Sequence, residues 1–192
     1  MFIVQHLKNY LLEGYVEERS YRAKETVFSK ALRDNGIFVV VDGVLELYIF
    51  KGLKKGTVDI MLPGDVFGFM SEESLIKYYV IKAITESRLF YLTLDNLKRL
   101  GGVNPALVLE LFSSVLSKQS YLYEVFTAIS MRKAKDRISK LLNLLGSVAE
   151  ERNLILTLKK KQIADIAGLS YEGTVRTMKF VKNQKSRRVR LW

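Results

Sequence analysis

The chain has 192 residues, 48% of them hydrophobic and 11% aromatic, enough apolar surface to offset chain entropy, so a disordered chain is excluded. Cysteine is absent and the single histidine is His6, which removes disulfides, thiolate metal centres, cysteine-ligated clusters and cysteine nucleophiles, and leaves too few groups for a histidine metal site or acid–base relay; no metal or other cofactor is expected. The formal net charge is +11, and residues 130–192 hold 16 basic and 5 acidic residues against 15 of each in residues 1–129, so the whole excess sits in the last third.

A neutral front joined to a strongly basic end is the electrostatic footprint of a module that binds a polyanion, because neutralising phosphates releases their counterions. On charge alone a merely solvated basic face fits equally well. No apolar run approaches the roughly 18 residues needed to span a bilayer, and the opening MFIVQHLKNY lacks the pattern of a secretory leader, so a cytosolic protein without a membrane partner is expected.

Taken in chain order, residues 2–13 alternate apolar and polar positions at helical spacing and predict a short leading helix. From Tyr21 to Leu94 short runs rich in β-branched and aromatic residues follow: 37–41, 44–50, 58–62, 78–84 and 88–94. Each is bounded by a turn signal such as Asp42-Gly43 or Pro63-Gly64-Asp65, a spacing that predicts a sandwich or barrel. Asn104-Pro105 suits the start of a helix. Beyond it Val108, Leu111, Val115, Lys118, Leu122, Val125 and Ile129 recur every three or four residues, the spacing of a helix that meets another along a seam. All but Lys118 are proposed as the dimer seam. A second stripe, Phe112, Leu116, Tyr123 and Phe126, lies on an adjacent face, so the helix can meet both its own barrel and a second copy; one helix buried in a monomeric core is the alternative. A further helix over 134–147 opens the basic part. The expected division is 1–103 barrel, 104–130 dimerising helix and 131–192 basic helical domain.

The basic part contains KKKQIADIAGLSYEGTVRTMKFV, Lys159 to Val181. Ala164 and Gly168 are four apart, as a helix-turn-helix requires: a small residue where two helices cross and a glycine where the turn needs positive φ. Ser170 is placed to cap the second helix. That helix presents Tyr171, Glu172, Val175, Arg176 and Lys179; Arg reads guanine bidentately in the major groove and Glu accepts from a cytosine amino group, so Glu172, Arg176, Tyr171 and Val175 are the expected base readers. Phosphate contacts are expected from Ser170, Lys159, Lys160, Lys161, Lys179, Lys182, Lys185, Arg187, Arg188 and Arg190. An αα-hairpin with solvated charges is the bland alternative.

The order of these elements resembles the CRP/FNR family of bacterial transcription regulators over residues 18–181, most clearly in LPGDVFG at 62–68 and AGLSYEGTVRTMK at 167–179. The resemblance implies an α+β chain: an amino-terminal cyclic-nucleotide-binding-like β-barrel, a long dimerising helix and a carboxy-terminal winged helix-turn-helix. It implies a homodimer on an inverted repeat of double-stranded DNA, with Glu172 and Arg176 on the two principal base-reading positions and recognition helices about one DNA turn apart. RNA polymerase and a small effector of unknown identity are its candidate partners.

Departures from the family pattern are informative. Cyclic-nucleotide-binding members carry a Gly-Glu pair and a later Arg-Ser pair; here Gly68 precedes Phe69, and Lys77-Tyr78 stands in the second place, so loss of the ribose acceptor and of the bidentate guanidinium predicts poor cyclic AMP binding. Gly68, Phe69, Met70, Lys77, Tyr78 and Tyr79 remain the candidate lining of an effector pocket. Lys159 replaces the usual Ser or Thr cap, costing about 1 kcal/mol. Thr174 replaces a buried aliphatic and needs a partner such as the carbonyl one turn back. Only KNQKSRRVRLW follows the recognition helix, so the wing is expected to be short, with 188–192 as its strand. No nucleophile–base pair or phosphate-cradling glycine motif points to an enzyme. A ligand-sensing barrel whose basic tail meets RNA or acidic partners is the alternative function.

Overall fold

A computed structural model describes residues 2–29, 36–51, 54–69, 79–181 and 188–192. They form two compact units, Met1–Lys55 with Asp59–Gln119, and Gly56–Val58 with Ser120–Trp192.

The first unit is built on eight strands: β1 (Glu17–Tyr21), β2 (Thr26–Ser29), β3 (Gly36–Asp42), β4 (Leu45–Lys51), β5 (Lys54–Met61), β6 (Val66–Phe69), β7 (Tyr79–Ala83) and β8 (Ser87–Thr93). They make two four-stranded sheets, in the orders β1-β8-β3-β6 and β2-β7-β4-β5. In β3 and β8, paired antiparallel with Phe38 opposite Tyr91 and Val40 opposite Leu89, successive side chains point to opposite faces. Phe38, Val40, Leu89 and Tyr91 therefore join Val27, Phe28, Leu45 and Ile81 in one core. Val39, Phe90 and Leu92 face the other way and pack with Ile3, Leu7, Leu100, Leu107 and Leu111 from the helices. Two apolar faces on one strand explain why IFVVV reads as a continuous apolar run rather than an alternating one.

Those helices are α1 (Phe2–Lys8), α2 (Leu94–Val103) and the first part of α3 (Pro105–Ile129). The leading helix is shorter than expected, giving way to turns that end at Gly14, whose φ is +73°. α2 was not expected. Thr93 caps it by accepting from the Asn96 amide at 3.1 Å, but a β-branched threonine suits a strand equally well, so RLFYLTL reads as one strand and the boundary is hidden. α3 begins at the expected place: the Asn104 side chain accepts from the Leu107 amide at 3.2 Å, leaving Pro105 in the first turn, where no amide is missed.

The second unit holds α4 (Ala134–Glu151), β9 (Leu156–Leu158), α5 (Lys160–Ile166), α6 (Tyr171–Val181) and β10 (Val189–Leu191). Ile138, Leu141, Leu142 and Leu145 of α4 are buried as their spacing implies, with Ile163, Ala164, Met178 and Val181. β10 pairs in parallel with β9 and is the only strand after α6 among the described residues, in line with a short wing.

Candidate nucleic-acid interface

α5 and α6 form the helix-turn-helix. Ala164 is fully buried, and its carbonyl accepts from the Leu169 amide at 2.9 Å across the turn. Gly168 sits at φ +64°, a conformation open to glycine at little cost. Ser170 Oγ accepts from the Gly173 amide at 3.1 Å, so the serine caps α6. A Cβ at position 173 would lie 2.9 Å from that oxygen; the small residue leaves room for the cap.

Thr174, Met178 and Val181 are the buried positions of α6. At about 100° per residue the face opposite them carries Glu172, Arg176 and Lys179, and all three are exposed. Tyr171 is 46% exposed at the start of the helix, whereas Val175 is half-buried. Glu172 and Arg176 thus stand one turn apart on the outward face. Thr174 corrects an expectation: its Oγ1 is buried, and among the described residues it has no hydrogen-bond partner, the carbonyl one turn back serving the Thr174 amide at 2.9 Å.

The expected phosphate contacts are differently placed. Lys159 is exposed, with Nζ 4.8 Å from the Trp192 ring centroid. Its amide donates to Gln162 Oε1 at 2.8 Å, so one half of a capping box survives without the usual hydroxyl. Lys160 is half-buried, and Lys161 is paired with Asp165. Ser170, Lys179 and Arg190 are exposed and Arg188 is half-buried; Lys182, Lys185 and Arg187 lie outside the described residues. The register Val189↔Leu156, Arg190↔Thr157 buries Leu156, Leu158 and Val189. The alternate positions Arg188, Arg190 and Trp192 therefore share a face with Ile155, Thr157 and Lys159. Arg190 was an expected phosphate contact, whereas sequence reasoning assigned Trp192 no site role; the alternation of VRLW against LTLK was the signal for it.

Of the candidate effector pocket, Met70, Lys77 and Tyr78 lie outside the described residues. Phe69 pairs with Gly36 at the end of β6, and Gly68 pairs with Ile37. A Cβ on Gly68 would come within 2.4 Å of the Gly36 carbonyl oxygen, so this glycine serves the close approach of β6 to β3. Tyr79 is half-buried in β7. Between the sheets Phe38 stacks on Phe67 at 5.1 Å and meets Tyr91 at 4.8 Å. The Arg19 guanidinium lies 3.8 Å from the Tyr91 ring centroid and pairs with Glu17 at 2.9 Å, which holds the Glu17 carboxyl below its ordinary value.

Along α3 the proposed seam divides. Val115 and Leu122 are exposed and Val108 and Ile129 half-buried, but Leu111 and Val125 are buried inside their own chain, so those two do not face a partner. Lys118, the polar position of the same stripe, is the physical reason. Its Nζ lies 2.7 Å from Asp59 Oδ2 and 3.0 Å from Asp65 Oδ2 and donates to the Ile60 carbonyl at 3.2 Å. All three charged side chains are nearly fully buried. Burial works against the Lys118 ammonium, yet the two carboxylates outweigh it and raise its pKa above 10.5. Burial raises the Asp59 carboxyl above its usual 3.8. Turning Lys118 inward leaves Leu109, Phe112, Leu116, Tyr123 and Phe126 as the exposed apolar face of α3, with Val115 and Leu122 exposed along its edge.

Residues 18–102 match the family described as the cyclic nucleotide-binding domain. The chain is 26% identical over 156 residues to the nitrogen fixation regulation protein FixK of Azorhizobium caulinodans, an alignment covering 77% of this chain and 62% of that protein, under two thirds of its length. Among solved structures it is similar to a cyclic nucleotide-binding domain containing protein from Listeria monocytogenes, with TM-score 0.74 and 19% identity over 96% of this chain and 94% of that one. It is similar also to FixK2 from Bradyrhizobium japonicum, with TM-score 0.68 and 20% identity over 88% and 85% of the two chains. A CRP-family transcriptional regulator from Thermus thermophilus gives 0.68 and 15% over 86% and 84%. Residues 18–102 are thus similar to a cyclic nucleotide-binding domain, and the chain as a whole shares the fold of these solved structures.

Proposed function

We propose that this protein is a sequence-specific DNA-binding transcription regulator that acts as a homodimer on an inverted repeat, with residues 1–103 as barrel, 104–130 as dimerising helix and 131–192 as reading domain. The observation that carries the proposal is the joint exposure of Glu172 and Arg176 on α6, fixed by Gly168 and Ser170 and set in the part of the chain that holds the whole positive excess. Each half-site then carries G·C pairs, with guanine meeting Arg176 and cytosine meeting Glu172. Lys179 and the face formed by Lys159, Arg188 and Arg190 neutralise phosphates and set register without specifying sequence. Selection of bound duplexes from a random pool tests it: an inverted repeat with G·C pairs in each half is expected, and a pool without enrichment, or one of single-stranded RNA, contradicts it.

The same proposal makes regulation independent of cyclic AMP. In the sequence, Phe69 and Lys77 replace the carboxylate and the guanidinium that the cyclic-nucleotide-binding pattern uses for ribose and phosphate. The stacked Phe38, Phe67 and Tyr91 already occupy space between the sheets. Calorimetric titration with cyclic AMP is expected to give no saturable heat; micromolar binding contradicts this part alone.

A further inference from the structure

We propose that Phe180 is a further specificity-determining residue, which packs its ring on the C5-methyl group of a thymine in the major groove beyond the pair read by Arg176; this rests on the DNA-binding reading above. Phe180 is 75% exposed, and the buried side of α6 is made by Thr174, Met178 and Val181 instead. At about 100° per residue Phe180 lies about 40° around the helix from Arg176 and about 80° from Glu172, within the exposed arc that also holds Lys179. Four residues of helix rise by about 6 Å, a little under two base-pair steps of about 3.4 Å. Phe180 lies at the edge of the arc that holds Arg176 and Lys179, beside the cations of the proposed DNA-binding face. It offers neither donor nor acceptor, and the apolar group on the major-groove edge of the bases is the thymine methyl.

The test uses the full chain and the duplex recovered by selection, with each thymine replaced in turn by uracil, which keeps every donor and acceptor and removes only the methyl group. In fluorescence anisotropy one replacement per half-site is expected to weaken binding about fourfold, the worth of one buried methyl. Phe180→Ala should bind the thymine and uracil duplexes alike, and Phe180→Leu should keep part of the difference. No sensitive thymine, or the same methyl dependence in Phe180→Ala, overturns the assignment while leaving the base-reading proposal intact. Failure to recover any duplex removes both.

Discussion

Thr174 is the residue whose environment least suits its chemistry. It is fully buried in α6 and its hydroxyl is without a hydrogen-bond partner among the described residues, so the folded state carries the desolvation of a polar group that the unfolded chain leaves in water. Thr174→Val keeps the branched shape and removes the hydroxyl. Urea unfolding is expected to show a stabilisation of about 1 kcal/mol; a lower midpoint would show that the hydroxyl makes a bond after all. The sequence showed that a hydroxyl stands in an aliphatic position, but not whether it finds a partner, because this depends on which carbonyls the helix has already engaged. Gly168 and Ser170 were readable for the opposite reason: positive φ and a capped first turn are local demands that a residue type answers within four positions.

At the scale of elements the decisive feature is the inward turn of α3. Heptad spacing placed Lys118 in a dimer stripe because its partners are distant in sequence, and no periodicity reveals an ion pair with β5 and the turn after it. The two carboxylates exceed the one ammonium by a single negative charge, so the three members are not equivalent. Lys118→Met strands two buried carboxylates and is expected to cost about 3–5 kcal/mol in denaturant unfolding. Asp59→Asn leaves a Lys118–Asp65 pair of balanced charge and should cost less; the reverse order would contradict the geometry. Because burial raises the folded pKa of Asp59 above 3.8, its contribution to stability is full below that value and is lost as pH rises through the raised one. The wild type should therefore lose stability over that window relative to Asp59→Asn. Lys118, raised above 10.5, contributes fully below that pH and loses its contribution as alkali carries the pH through its folded value. α2 escaped notice because its cap, Thr93, is a residue that also suits the end of a strand, whereas the Asn104-Pro105 start of α3 was plain.

For the molecule as a whole, the exposed stripe Leu109, Phe112, Leu116, Tyr123 and Phe126 follows a heptad spacing that suits a second copy of α3, with polar Gln119 at the place between Leu116 and Tyr123. Phe126→Asp is expected to shift sedimentation from dimer to monomer while leaving the fold intact, since Phe126 is exposed in one chain. The same change at Leu111 should unfold the first unit, where that side chain is buried. A Phe126→Asp protein that stays dimeric places the interface elsewhere. The overall architecture was readable because charge, turn glycines and apolar spacing each mark one region of the chain; which face of α3 lies outward was not, since a stripe has two sides and Lys118 chooses between them.

The most direct measurement compares wild type and Arg176→Ala on the selected duplex and on duplexes altered one base pair at a time. Arg176→Ala is expected to lose about 1–3 kcal/mol of discrimination at one G·C pair in each half-site while retaining its salt-dependent affinity for unrelated DNA. An equal weakening on every sequence would show that Arg176 grips the backbone and reads nothing.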